Sequence, residues 1–94
     1  MASAAQADYN LYGLGTLPCR EWLNKRTSDT WYEMGEWMLG FISAVGYYDL
    51  YTLKDTDAQT FLPWMDAYCQ KNPRNEFAEG VQKLVEELKT IPRP

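Results

Sequence analysis

The sequence predicts an all-α protein, a small four-helix orthogonal bundle closed by one disulfide. Apolar residues recur at three- and four-residue steps in four separate stretches, and polar or proline-containing breaks divide them. The only alternating run, around Tyr47 to Leu53, is too short to compete as a strand. Two cysteines, Cys19 and Cys69, stand ready to tie the ends of such a bundle together. Ninety-four residues make one domain, and a chain of this size buries only about 60–65% of its unfolded surface, so a covalent tie matters.

Residues 1–7 read as the remnant of a secretory signal peptide, with Ala5-Gln6-Ala7 as the A-x-A cleavage box, or as an ordinary alanine-rich terminus. The single helical domain is expected over 8–94. Asp8 to Leu17 carries Gly13 and Gly15 among Tyr9, Leu11, Tyr12 and Leu14, which suggests an extended lead-in packed on the body. Pro18 suits a first helical position because it has no N–H to leave unpaired, so the first helix is expected over 18–26 with Trp22 and Leu23 inward. Thr27-Ser28-Asp29 breaks it and offers caps for the next.

The second helix is expected over 29–48. Trp31, Met34, Met38, Ile42 and Val45 form one apolar stripe, and Trp37, Phe41 and Tyr48 a second about 100° away. A helix apolar around most of its circumference is either central to the fold or buried in an interface. Gly35 and Gly40 inside it each cost about 1 kcal/mol relative to alanine, and the expected return is close approach of a neighbouring helix. The third helix is expected over 58–71. Pro63 forces a start near Thr60 or a kink, and Trp64, Met65, Tyr68 and Cys69 share its inward face. Asn72-Pro73 ends it. Asn75 is the expected cap of a fourth helix over 76–90, where Phe77, Val81, Leu84, Val85 and Leu88 form an amphipathic stripe and Pro92 and Pro94 bring it to a stop.

Charge and composition exclude several functions. Net charge is −4, and the nine Lys and Arg residues are scattered, so neither a nucleic-acid stripe nor an anionic-membrane face is present. The longest apolar run, Trp37 to Ile42, falls far short of the roughly 18–20 residues a bilayer span requires. Two cysteines without a histidine fit neither a zinc site nor a CxxC motif, so no metal and no cofactor is expected. In an oxidising compartment the pair becomes a disulfide; in the cytosol it stays as two buried thiols.

No nucleophile–base pair is visible without histidine, and no serine occupies a Gly-x-Ser-x-Gly elbow. Glu33 and Glu36 lie one turn apart, yet with Asp29 they read as a solvated edge where the helix dipole favours negative charge. No small-molecule substrate suggests itself, and a binder is expected in place of an enzyme. The aromatic excess is the candidate binding feature: Trp31, Trp37, Phe41, Tyr47, Tyr48 and Tyr51 read as a protein-binding patch or, for the tyrosines, as a cap on the bundle's end. The partner would be another protein or a second copy of the chain.

Two short segments add a resemblance. Leu17-Pro18-Cys19-Arg20-Glu21-Trp22-Leu23 resembles the C-x-x-[FW]-L opening of the periplasmic HdeA/HdeB acid-stress chaperones. Ala67-Tyr68-Cys69-Gln70 followed by Phe77 and Val81 resembles that family's second half. Gly40-Phe41-Ile42-Ser43-Ala44-Val45, with Leu62-Pro63 and Asn72-Pro73, is also similar to the Rap/Tai immunity proteins, which neutralise secreted peptidoglycan amidases in the periplasm. Both resemblances cover most of 17–90 and imply a periplasmic, disulfide-bonded helical protein.

The chaperone resemblance implies a chain that loosens in acid, because protonating 13 carboxylates swings the charge from −4 toward about +9. Without histidine such a switch must lie at roughly pH 3–5. The immunity resemblance implies a rigid surface already formed at neutral pH. A structural envelope protein is the third expectation.

Overall fold

The computed structural model describes residues 10–49 and 56–89; the expected cleavage remnant 1–7, Asp8, Tyr9, Tyr51 and the terminal prolines 92 and 94 lie outside them. Four α-helices carry the fold: α1 (Cys19–Arg26), α2 (Trp31–Tyr48), α3 (Phe61–Lys71) and α4 (Phe77–Lys89). Among the described residues there is no strand, only one isolated antiparallel bridge between Pro18 and Glu76. The protein is a small all-α bundle with one disulfide, and no described helix is long and apolar enough to cross a membrane.

The helix ends differ from expectation in how their backbone groups are satisfied. Pro18 stands in extended conformation just outside α1. The first amides of α1 find partners across the fold: Cys19 donates to the Asn75 carbonyl at 2.7 Å and Arg20 to the Pro73 carbonyl at 2.9 Å. In return the Phe77 amide opening α4 donates to the Leu17 carbonyl at 2.8 Å. Two helix N-termini thus satisfy their unpaired donors on each other's leading strands. Asn75 is consequently not the side-chain cap it was expected to be; its Nδ2 donates to the Tyr68 hydroxyl, and Glu79 reaches back to accept from the Glu76 amide.

Pro63 caused the expected adjustment. A 3₁₀ turn over Ala58–Thr60, with the Asp57 carboxylate accepting from the Gln59 amide, leads into α3 at Phe61. Pro63 then falls in the first turn of α3, where its missing N–H costs no helical bond.

The core gathers Trp22 from α1, Met34, Met38 and Ile42 from α2, Phe61 and Met65 from α3, and the whole stripe of α4. Phe77, Val81, Leu84, Val85 and Leu88 are all buried, as their spacing requires. Each such side chain contributes about 1.5–3 kcal/mol when fully removed from water. Cys19 and Cys69 are bonded, fully buried and 5.0 Å apart at Cα. They join the first residue of α1 to the last turn of α3.

The lead-in is less extended than expected. Gly13–Thr16 form one 3₁₀ turn, with Gly13 at φ 86° in a region that favours glycine. The turn lies flat on Trp37: the indole Nε1 donates to the Tyr12 carbonyl at 2.7 Å, and a Cβ at Gly15 would collide with the ring. The glycines of α2 also depart from expectation. A Cβ at Gly35 would meet the Trp31 ring of its own helix at 3.2 Å, and one at Gly40 would meet nothing within 4 Å. The close approach occurs instead at Gly80 of α4, where a Cβ would come within 2.7 Å of the Tyr68 ring and 2.8 Å of Met65.

Candidate functional site: the outer side of the second helix

Every buried residue of the core is apolar, and no described cluster of His, Cys, Asp or Glu has a geometry suited to a metal ion. The aromatics picked out from the sequence fall into two groups. Trp31, Trp37 and Phe41 are half-buried and packed against the core. Trp37 and Phe41 stack at 5.5 Å between centroids with 30° between planes, and Trp37 also meets Phe77 edge-on at 6.3 Å. Trp31 meets Trp22 edge-on at 6.1 Å. These rings hold α2 to its neighbours.

Tyr47 and Tyr48 are different: they are 74% and 85% exposed and form an edge-to-face pair with centroids 4.9 Å apart. Tyr51 lies outside the described residues. From Trp37 through Tyr48 the helix carries no charge, and Gly40, Ser43, Ala44, Tyr47 and Tyr48 face solvent along its outer side. Acidic side chains are confined to its N-terminal half, where Glu33 and Glu36 are exposed together with Tyr32.

Beside that half lies a groove of about 180 Å³ between α2 and the start of α3. Trp31, Gly35, Met38, Leu39 and Leu62 supply its apolar walls, while Tyr32, Glu36 and Gln59 supply polar groups. The absence of a Cβ at Gly35 lets the Trp31 ring lie back against its own helix.

A polar lock behind Trp31 escaped the sequence reading. Asp66 Oδ1 accepts from Trp22 Nε1 at 2.8 Å and from Arg26 Nε at 3.0 Å, and Oδ2 accepts from the Arg26 terminal nitrogen at 3.1 Å. The guanidinium also lies 4.9 Å from the Trp31 ring centre and 5.5 Å from that of Trp22. Hydrogen bonding to Asp66 raises the Arg26 pKa above its ordinary value, partial burial opposes this, and the carboxylate's charge reinforces it. Arg26 and Asp66 are 40 residues apart, so no local pattern announces the pair. The one available signal is Trp22, since a fully buried indole N–H requires an acceptor.

A second aromatic surface occupies the opposite helix pair. Trp64 and Tyr68 lie 5.6 Å apart and nearly parallel, at 9°. Trp64 Nε1 donates to Glu87 at 3.0 Å, and Tyr68 rests over Gly80. Both rings are thereby fixed in place as parts of the α3–α4 contact. Comparison with known proteins finds no matching family model, no similar curated protein and no similar solved structure.

Proposed function

We propose that this protein is an exported, non-enzymatic binding protein that presents the outer side of α2 to a protein partner. One observation carries the reading: a 12-residue helical stretch without charge ends in two tyrosines that are 74% and 85% exposed. Tyrosine is a preferred interface anchor, because its ring contributes apolar area while its hydroxyl stays satisfied by water or a partner. The scaffold beneath that face is held by the Cys19–Cys69 bond and the stacked Trp37 and Phe41, which favours a surface formed before the partner arrives. The disulfide and the A-x-A segment fit a periplasmic location, and an inhibitor of the immunity type would use such a surface.

The test is capture at pH 7 from a periplasmic extract, comparing the wild-type chain with a Tyr47→Lys/Tyr48→Lys variant of equal melting temperature. A stoichiometric partner retained by the first and lost by the second is the expected result. Equal capture by both rules out the tyrosine face.

Asp66 favours a second reading, an acid-activated chaperone of the HdeA-like kind. It is the described carboxylate that joins α1 to α3 through Trp22 and Arg26, so loss of its negative charge weakens the contact to α1. This reading requires suppression of client aggregation at pH 3 with none at pH 7. A compact chain that gives no protection at pH 3 refutes it.

A further inference from the structure

We infer that the groove between α2 and α3 takes one large apolar side chain from a positively charged segment of the partner protein. The inference rests on the reading of α2 as a partner-binding helix and names what its N-terminal half recognises. Size is the first argument. An apolar cavity of roughly 150 Å³ accepts a benzene ring, and the groove measures about 180 Å³. That suits a single aromatic or branched aliphatic side chain and is too small for a folded element.

The walls give the second argument. Trp31, Met38, Leu39 and Leu62 offer apolar surface on both helices, and the Trp31 ring lies against its own helix over Gly35. Methionine and tryptophan together make an adaptable, polarisable lining for an aromatic guest.

Charge is the third argument. Glu36 is the carboxylate on the lining, and the exposed Asp57 immediately precedes the lining residues Ala58 and Gln59. α2 contains no lysine or arginine. The nearby guanidinium of Arg26 is engaged by Asp66 and lies over the Trp31 ring. A guest flanked by lysine or arginine therefore meets attraction at the rim, and one flanked by carboxylates meets repulsion.

The experiment uses the whole chain, labelled with ¹⁵N, and three tripeptides blocked at both ends: Lys-Trp-Lys, Glu-Trp-Glu and Lys-Ala-Lys. The reporters are the Gly35 and Leu39 amides and the Trp31 indole. Lys-Trp-Lys should give saturable shifts at all three, with an affinity about three- to tenfold above that of Glu-Trp-Glu, the range expected for exposed charges. Lys-Ala-Lys should fail to saturate. Ala58→Trp, which fills the groove from its exposed lip, should abolish the shifts, and Glu36→Lys should reverse the order of the two tryptophan peptides. Both positions are solvent-exposed, and a thermal melt verifies that each variant folds.

Absence of saturation, equal affinity for the two charges, or shifts that persist in Ala58→Trp would overturn the inference. Self-association that Ala58→Trp abolishes would assign the groove to a second copy and overturn it as well. Tyr47→Lys/Tyr48→Lys should leave tripeptide binding unchanged, so failure of the groove and failure of the tyrosine face are read separately.

Discussion

A methyl group at Gly15 would lie 2.5 Å from Cε2 of Trp37 and closer still to the far edge of the same ring, where ordinary contact needs about 3.5–4 Å. Gly15→Ala therefore forces either the indole or the 3₁₀ turn to move. The indole has little room: its Nε1 is bonded to the Tyr12 carbonyl, one face stacks on Phe41, and an edge rests on Phe77. Overpacking of a fitted site costs about 1–3 kcal/mol. Losing the Tyr12 bond adds about 0.5–1.5 kcal/mol. We expect a loss of about 2–4 kcal/mol against a total of about 5–14 kcal/mol for a chain of this length. Urea unfolding monitored by tryptophan fluorescence measures it, with a red shift in the folded baseline as Trp37 loses its cover. Gly40→Ala is the paired control. Its Cβ enters open space in the middle of an exposed helical face, so it should stabilise by about 0.5–1 kcal/mol. A Gly15→Ala chain as stable as wild type, with unchanged emission, would refute the reasoning.

Asp66→Ala should cost about 2–4 kcal/mol in urea, since it strands a buried indole N–H and an engaged guanidinium, whereas Asp66→Asn should recover part of this by keeping an acceptor for Trp22. A loss below about 0.5 kcal/mol for the alanine variant would contradict the lock. Reducing the disulfide should remove about 4 kcal/mol, the chain-entropy value for a 50-residue separation, read as a lowered thermal midpoint under reductant. Unfolding curves at pH 6, 7, 8 and 9 should superimpose. The chain has no histidine, and a guanidinium raised by its partner gives its full stabilisation below its unfolded pKa, losing it only as pH climbs through the higher folded value. A slope across that window would point to a coupled group outside the Arg26–Asp66 pair.

The helices were legible in the sequence because their signals are local. The α4 stripe has a single period, and the residues it marks are the buried ones. Pro63 announced its own adjustment, and the ends of α1 and α3 placed Cys19 and Cys69 within reach of each other. The candidate site was less legible because it depends on rotational phase and on partners distant in sequence. Two apolar stripes on α2 left open whether the helix is central or at an interface. The structure packs Trp37 and Phe41 of the second stripe against the core too, with the Gly13–Thr16 turn covering Trp37 across about 25 residues. Gly40 reads the same in sequence whether it meets a helix or water. Asp66 and Arg26 are ordinary surface residues until α1 and α3 are brought together.

The bond between Cys19 and Cys69 closes a covalent ring around α1, α2 and most of α3, and leaves α4 outside it. A protease that cuts once anywhere between those cysteines, including within 50–55, releases no fragment: both pieces stay joined through sulfur, and only reduction separates them. The helix that contributes the largest share of the core is by contrast held by packing and the chain's own continuity at residues 72–76. A cut there sets free a segment that must find its way back onto an intact ring. Nicked material should thus keep or lose its shape according to which side of Cys69 was cut, a difference that gels run with and without reductant would make visible.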